Sequence, residues 1–424
     1  MVLIMRPLTA LGIALPFILW SGARLLYALF YQRSTFLLLL KPLLVLSAMA
    51  LIIGLAIPIY SAVTTGDPTK NLYTLVWEYD RIGFGECCGR SGHTLQRALN
   101  HMRWDLSWTA ADLFGWQLQT WSAEQTQHVL TRSDYMPAIG LSWILLPLGM
   151  IGGFLYTRRR SHIGLAALWV GGIFLWVVIP YRLNVKFISD FAYIPYWWLW
   201  LGVGVLWIAL PLIYCASSKQ PRRVVWLWLL MAIPVALVGA QLTYWIGSQR
   251  YSTRYYFEAL PVLALLSALG LAWLAKLPYM RWPIYAALAI ALFFSLYGYS
   301  TPRIGALHQF NAISRHDYEG VQARRSGEKP VLVIVENVEG ANVRWRALGS
   351  LMPFTSPFLD GDIVVAWAYA DGVREQILAQ FPNREVIEME AMDNFAWFLD
   401  EPCVPPSPDA TEMQQQEYAF CLQR

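Results

Sequence analysis

The 424-residue chain is 57% apolar and only 14% charged, about half the charged fraction of an ordinary soluble domain, which all but excludes a soluble globular protein. Its formal charge of +4 hides two opposed parts: residues 1–300 carry 22 basic and 10 acidic side chains, a net +12, whereas residues 301–424 carry 10 and 18, a net −8. Lys and Arg gather at membrane edges, so a basic apolar part joined to an acidic polar one reads as a membrane region plus an aqueous domain. No basic stripe marks the polar part, which argues against nucleic acid as a partner.

A helix needs about 20 apolar residues to cross a bilayer core. About eight such runs occur, at 7–31, 36–60, 135–156, 163–181, 194–215, 224–246, 257–275 and 283–299. The first is too long for a signal-peptide core and a second follows at once, so both read as true spans. Short loops after the odd-numbered runs hold Arg33, Lys41, Arg158, Arg159, Arg160, Lys219, Arg222, Arg223, Lys276 and Arg281, against Arg182, Lys186, Arg250 and Arg254 in the alternate loops. The positive-inside rule places the first set in the cytoplasm. Residues 61–133, everything after 300, and Met1 then lie outside. An outward start with no span before it leads to the expectation that further helices precede Met1. The expected divisions are two spans in 1–60, an outer loop in 61–133, six spans in 134–300, and an outer α/β domain with its tail in 301–424.

Within the long outer loop, Leu95, Ala98, Leu99, Met102, Leu106, Ala110 and Leu113 recur at steps of three or four. They predict an amphipathic helix that Thr94 can cap and Gly115 can end. Beyond residue 300, 331–336 and 362–369 read as buried strands, 342–351 and 373–380 as helices, and 385–389 as a third strand, giving a small α/β domain. No GxGxxG follows a strand, so dinucleotide binding has no support. The Pro- and Gln-rich end reads as a loose tail. Within it, Cys403 and Cys421 form a disulfide in an oxidising compartment or remain two thiols. The string CCGRSGH, with Cys87, Cys88 and His93, matches no standard metal spacing and reads as a Gly-rich turn.

Acidic residues inside spans mark proton or ion paths in pumps and carriers. Here the spans hold no acid except Glu258 at an outer end, and no internal repeat signals transporter halves. Polar chemistry therefore concentrates on one side. QRYSTRYYFEALP sets Arg250 and Arg254 beside Tyr251, Tyr255 and Tyr256. Guanidinium groups grip phosphate bidentately and aromatic rings suit the headgroup level, so the cluster serves either a lipid-linked phosphate or an ordinary interfacial anchor. A second cluster, WEYDRIGFGECCGRSGHT, offers Glu78 and Asp80 as acid, base or acceptor-binding groups, with Arg81 and His93 to assist. Its glycines permit tight turns, and His93 serves either catalysis or a hydrogen bond that fixes the loop.

These strings, together with RPLTAL at Arg6, GHTLQRALN, LFGW and SPFLDGDIVVA, resemble the polytopic glycosyltransferases of the glycosyltransferase-C fold. The group they are most similar to is that of the protein O-mannosyltransferases and the aminoarabinose transferase acting on lipid A. The resemblance implies transfer of a sugar from a polyprenyl-phosphate donor to a lipid, glycan or protein acceptor at the extracytoplasmic face of the cell membrane, without a nucleotide cofactor. It casts the loop 61–133 as a cover over the active cavity and Arg250 and Arg254 as phosphate-side groups. The chain departs from the pattern in lacking the acidic residue that the family carries in the outer loop after its first span. That departure leads to the expectation of a C-terminal portion without its catalytic base. A polysaccharide ligase or polymerase, a flippase for lipid-linked substrates, and a non-catalytic membrane protein with a partner-binding outer domain are the alternatives.

Overall fold

The computed structural model describes residues 6–75, 77–114, 142–182, 197–218, 220–246, 255–301, 304, 315–337, 345–356, 358–392, 395–410 and 412–423. The chain divides into two units, Met1–Ile304 and Gly305–Arg424.

The first unit is helical. In chain order it contains α1 (Pro7–Tyr31), α2 (Arg33–Gly54), α3 (Ala56–Thr65), α4 (Leu95–Phe114), α5 (Ser142–Tyr156), α6 (Ser161–Arg182), α7 (Trp197–Ser217), α8 (Arg222–Gln241), α9 (Leu260–Leu274) and α10 (Arg281–Phe294). Pro sits in the first turn of α1 and of α9, where its missing N–H costs nothing. Among the described residues six apolar stretches are long enough to cross a membrane: Pro7–Tyr31, Arg33–Thr65, Trp198–Ser217, Arg222–Gln241, Phe257–Leu274 and Arg281–Ser300. Leu145–Tyr156 and Ser161–Val177 are apolar but shorter. The described parts of the sequence's apolar runs thus fall on helices. The sixth stops earlier than its hydropathy predicts, at Gln241, and the residues after it turn away into a polar contact described below.

Small residues let these helices approach closely. Gly149 on α5 lies against the backbone of Leu266 on α9, and Gly270 on α9 faces the carbonyl of Leu145, so neither position has room for a side chain. On α1, Gly12 meets Leu237 of α8, and Gln241 Nε2 donates to Thr9 Oγ1 at 3.1 Å, which sets α1 and α8 antiparallel. Helices α6 and α7 are clasped by two reciprocal tryptophan pairs. Trp169 and Trp207 each donate an indole N–H to the other's backbone carbonyl, at 3.0 and 2.8 Å, and Trp176 and Trp200 do the same at 2.9 and 3.2 Å. Gly172 and Gly204 lie beneath the rings of Trp207 and Trp176. The core around Phe154, Leu212, Trp228 and Leu266 is apolar and closed to solvent.

The second unit contains α11 (His316–Arg324), β1 (Val331–Asn337), α12 (Trp345–Leu351), β2 (Ile363–Ala368), α13 (Val373–Gln380), β3 (Glu385–Met392), β4 (Phe395–Phe398) and α14 (Glu412–Cys421). The sheet order is β2-β1-β3-β4, with β1 parallel to β2 and β3, and β4 antiparallel to β3. Val331, Val333 and Val335 pack with Val321 of α11 and Leu351 of α12, while Leu332 and Ile334 face Ile377, Leu378 and Phe381 on and just after α13. Coverage on both faces explains why β1 is an unbroken apolar run. The strands and helices read from sequence are present, and α11 and β4 add to them. The expectation of a loose tail is corrected: α14 is folded back by a Cys403–Cys421 disulfide, and Phe420 and Cys421 pack on Phe395 and Trp397. Closure of the 18-residue loop, rather than apolar periodicity, holds this helix.

Candidate functional site

Leu242–Trp245, just beyond α8, receive the loop between α3 and α4 through its backbone. The Gly83 N–H donates to the Thr243 carbonyl at 2.8 Å, and Ile82 pairs with Tyr244 in an isolated antiparallel bridge. Gly85 and His93 exchange backbone hydrogen bonds of 2.8 Å, which closes residues 86–92 into a turn. Gly89, at φ +83°, is pressed against Trp245, where a Cβ would come within 2.9 Å of the tryptophan's own Cβ. Both the backbone conformation and the space at this position require glycine. The adjacent Cys87 and Cys88 in this turn are joined as a disulfide, and neither offers a free thiolate to a metal. Among the described residues no group of three His, Cys, Asp or Glu is placed to hold an ion.

Asp80 is the polar centre of this contact. It is 7% exposed, its Oδ1 accepts the Trp245 indole N–H at 2.8 Å, and its Oδ2 accepts the Tyr244 hydroxyl at 3.5 Å. Tyr244 in turn meets Tyr255 edge to face, with ring centres 5.8 Å apart. Burial, reinforced by Tyr255 and Asp80, pushes the Tyr244 phenol far above its ordinary range, so it keeps its proton and remains a donor. Tyr256 is buried, and desolvation together with the Asp105 charge raises its phenol as well. Tyr79 stands edge-on to Trp245 and accepts a hydrogen bond from Arg90 Nε at 2.9 Å, which completes an aromatic wall beside Asp80.

His93 is fully buried and stacked on Phe84, with ring centres 5.0 Å apart. Its Nε2–H donates to the Leu242 carbonyl at 3.0 Å, which leaves Nδ1 as a buried acceptor without a partner among the described residues. Burial lowers its pKa to about 4, and the nearby His101 and Arg97 act in the same direction. The imidazole is therefore neutral at physiological pH, and it fastens the loop to α8.

The other sequence candidates separate. Glu78 and Arg81 are exposed, and Arg81 Nε donates to the Glu78 backbone carbonyl at 3.1 Å rather than to its carboxylate. Arg250 and Arg254 lie outside the described residues. Tyr255 joins the Asp80 group through Tyr244, so the two clusters read separately in the sequence meet at one end of the helices. RPLTAL arrives there too, since Arg6 pairs with Glu258 of RYYFEALP at 3.5 Å. Sequence reasoning missed Tyr244 and Trp245. Their signal is a pair of aromatic residues bearing donors at the end of an apolar run, where hydropathy alone absorbs them into the span. No family model matches the chain, and neither a curated protein nor a solved structure matches it significantly.

Proposed function

We propose that this chain belongs to a multi-pass glycosyltransferase of the cell membrane that takes a sugar from a polyprenyl-phosphate donor on the extracytoplasmic side. In this reading the eight apolar helices all span the bilayer, and the Asp80 end of the bundle and the α/β domain face outward. A disulfide-closed tail suits that compartment.

The observation that carries the reading is the convergence of RPLTAL, YDRIGFGE, GHTLQRALN and RYYFEALP, scattered over more than two hundred residues of sequence, on one end of the helices around a buried carboxylate. In the reaction the acceptor oxygen forms a bond to the anomeric carbon as the bond from that carbon to the phosphate oxygen breaks. Asp80, in place of the acid that the family carries in its first outer loop, takes the acceptor proton, and the leaving polyprenyl phosphate carries the negative charge that Arg250 and Arg254 offset. Tyr244 and Trp245 hold the carboxylate in place.

Incubation of the purified full chain with a radiolabelled polyprenyl-phosphate sugar and membrane-extracted acceptors tests this. Transfer is expected in the wild-type chain, with a drop of about 100-fold or more in Asp80→Asn. Arg254→Ala is expected to weaken donor use without changing the melting temperature. Transfer that is unchanged in both variants sinks the assignment, and so does movement of intact labelled donor across the bilayer with no covalent product.

A further inference from the structure

The opposite end of the helices carries a feature that the transferase reading does not use. Between α5 and α6 lies an open cavity of about 690 Å³ lined by Leu155, Arg158, Arg159, Arg160 and Ser161. The turn that forms it is fixed by its backbone: Arg158 N–H donates to Leu155 O at 3.0 Å, and Arg159 N–H to Phe154 O at 2.9 Å. Arg158 itself sits at φ +56°, in the left-handed region that a side chain with a Cβ occupies at a cost. An arginine stands at a position where glycine would relax the backbone.

More cations gather there from other helices. Arg223 near the start of α8 and Lys276 just after α9 both lie over the ring of Tyr156, at 5.5 and 4.8 Å from its centre. Among the described residues no acidic side chain pairs with this group. The acids of this unit whose side chains are described include Asp80, Asp105 and Glu258, which the Trp245, Tyr256 and Arg6 contacts place at the other end. Among the described residues, Arg158, Arg159 and Arg160 have no hydrogen bond or ion pair from their side chains. The arginines of the outer loop differ in this respect, because Arg81, Arg90 and Arg97 are each held by a carbonyl or a phenol.

We propose that this cavity binds a phosphate-ester anion, held by the guanidinium groups of Arg158, Arg159 and Arg160 at the positive N-terminal end of the 22-residue helix α6. A basic pocket between apolar helices suits the headgroup of an anionic lipid, and the same donors fit a soluble phosphate. A role for these arginines in setting topology alone requires their charge but neither the cavity nor a strained arginine beside it.

The test uses the full chain purified in detergent, with native mass spectrometry to count bound phosphatidylglycerol against phosphatidylcholine. One tightly retained phosphatidylglycerol is expected in the wild type. Arg158→Gly, which relaxes the turn, and Arg159→Gln with Arg160→Gln are each expected to weaken retention about tenfold while the melting temperature holds. Arg159→Lys with Arg160→Lys keeps the charge and loses the bidentate fork, and is expected to fall between the wild type and the glutamine variant. Displacement by millimolar inorganic phosphate assigns the site to soluble phosphate, and resistance to it assigns the site to lipid. Equal retention in the wild type and the glutamine variant, or no preference for phosphatidylglycerol together with no phosphate binding, overturns the proposal.

Discussion

His93 shows how a single side chain fastens the loop between α3 and α4. The unfolded chain returns it to the ordinary histidine value of 6.5, whereas in the folded protein burial holds it at about 4. Below pH 6.5 the unfolded state takes up a proton that the folded loop refuses, so this contribution is complete above pH 6.5 and is lost as pH falls towards 4. The two values correspond to about 3 kcal/mol across that window. Hydrogen exchange at residues 83–95, corrected for its intrinsic pH dependence, is expected to show protection that falls between pH 7 and pH 4.5. His93→Gln keeps a donor for the Leu242 carbonyl and is expected to flatten the change; equal pH dependence in wild type and variant would assign the opening to another group. The sequence marks His93 and Asp80 as polar residues in a Gly-rich loop. It hides their partners, because Leu242 and Trp245 lie 149 and 165 residues away and nothing local announces the pairing.

Among the elements, α6 and α7 carry the most regular device. Trp169 and Trp176 lie seven residues apart, as do Trp200 and Trp207, so each pair sits on one face of its helix after two turns. Antiparallel packing then matches Trp169 with Trp207 and Trp176 with Trp200. An indole N–H in an apolar setting needs an acceptor, and the facing carbonyl supplies one without another polar side chain. Trp169→Phe and Trp207→Phe are each expected to cost about 1 kcal/mol in thermal unfolding in detergent. The two bonds share one contact, so the double variant is expected to depart from additivity by about 0.5 kcal/mol or more. The same change at the exposed Trp226 is expected to do nothing. Melting temperatures indistinguishable from wild type in all single variants would leave the glycine contacts alone as the clasp. Apolar run length made these helices legible, just as continuous Val, Leu and Ile made β1 legible. It did not reveal α11, whose sequence HDYEGVQAR buries little beyond Asp317 and Val321. Four residues of FAWF are too few for a period to emerge, and α14 depends on the Cys403–Cys421 cross-link, which the sequence offered as one of two alternatives without indicating the helix that it holds.

Across the whole molecule, charge and contacts define the same polarity. Asp80, Glu258, the N-terminal end of α1 and the C-terminal end of α8 meet at one end of the helical unit. Arg158–Arg160, Arg223 and Lys276 occupy the opposite one. The helices between are apolar on the outside, and α2 has no buried residue at all, which water would not tolerate and lipid does. If these helices span the membrane, the two ends meet different aqueous phases, and the basic end faces the cytoplasm. Single-cysteine labelling decides this, and the background is low because Cys215 is buried and the other four cysteines are paired. With the chain expressed in intact cells, a membrane-impermeant maleimide is expected to modify Ser91→Cys at once, and Arg160→Cys only after permeabilisation. Labelling in the reverse order would turn the molecule over and place the Asp80 end in the cytoplasm, where a polyprenyl-phosphate sugar donor of the outer face does not reach. Labelling of both sites before permeabilisation would remove the spanning arrangement itself, because no set of crossing helices presents its two ends to one phase.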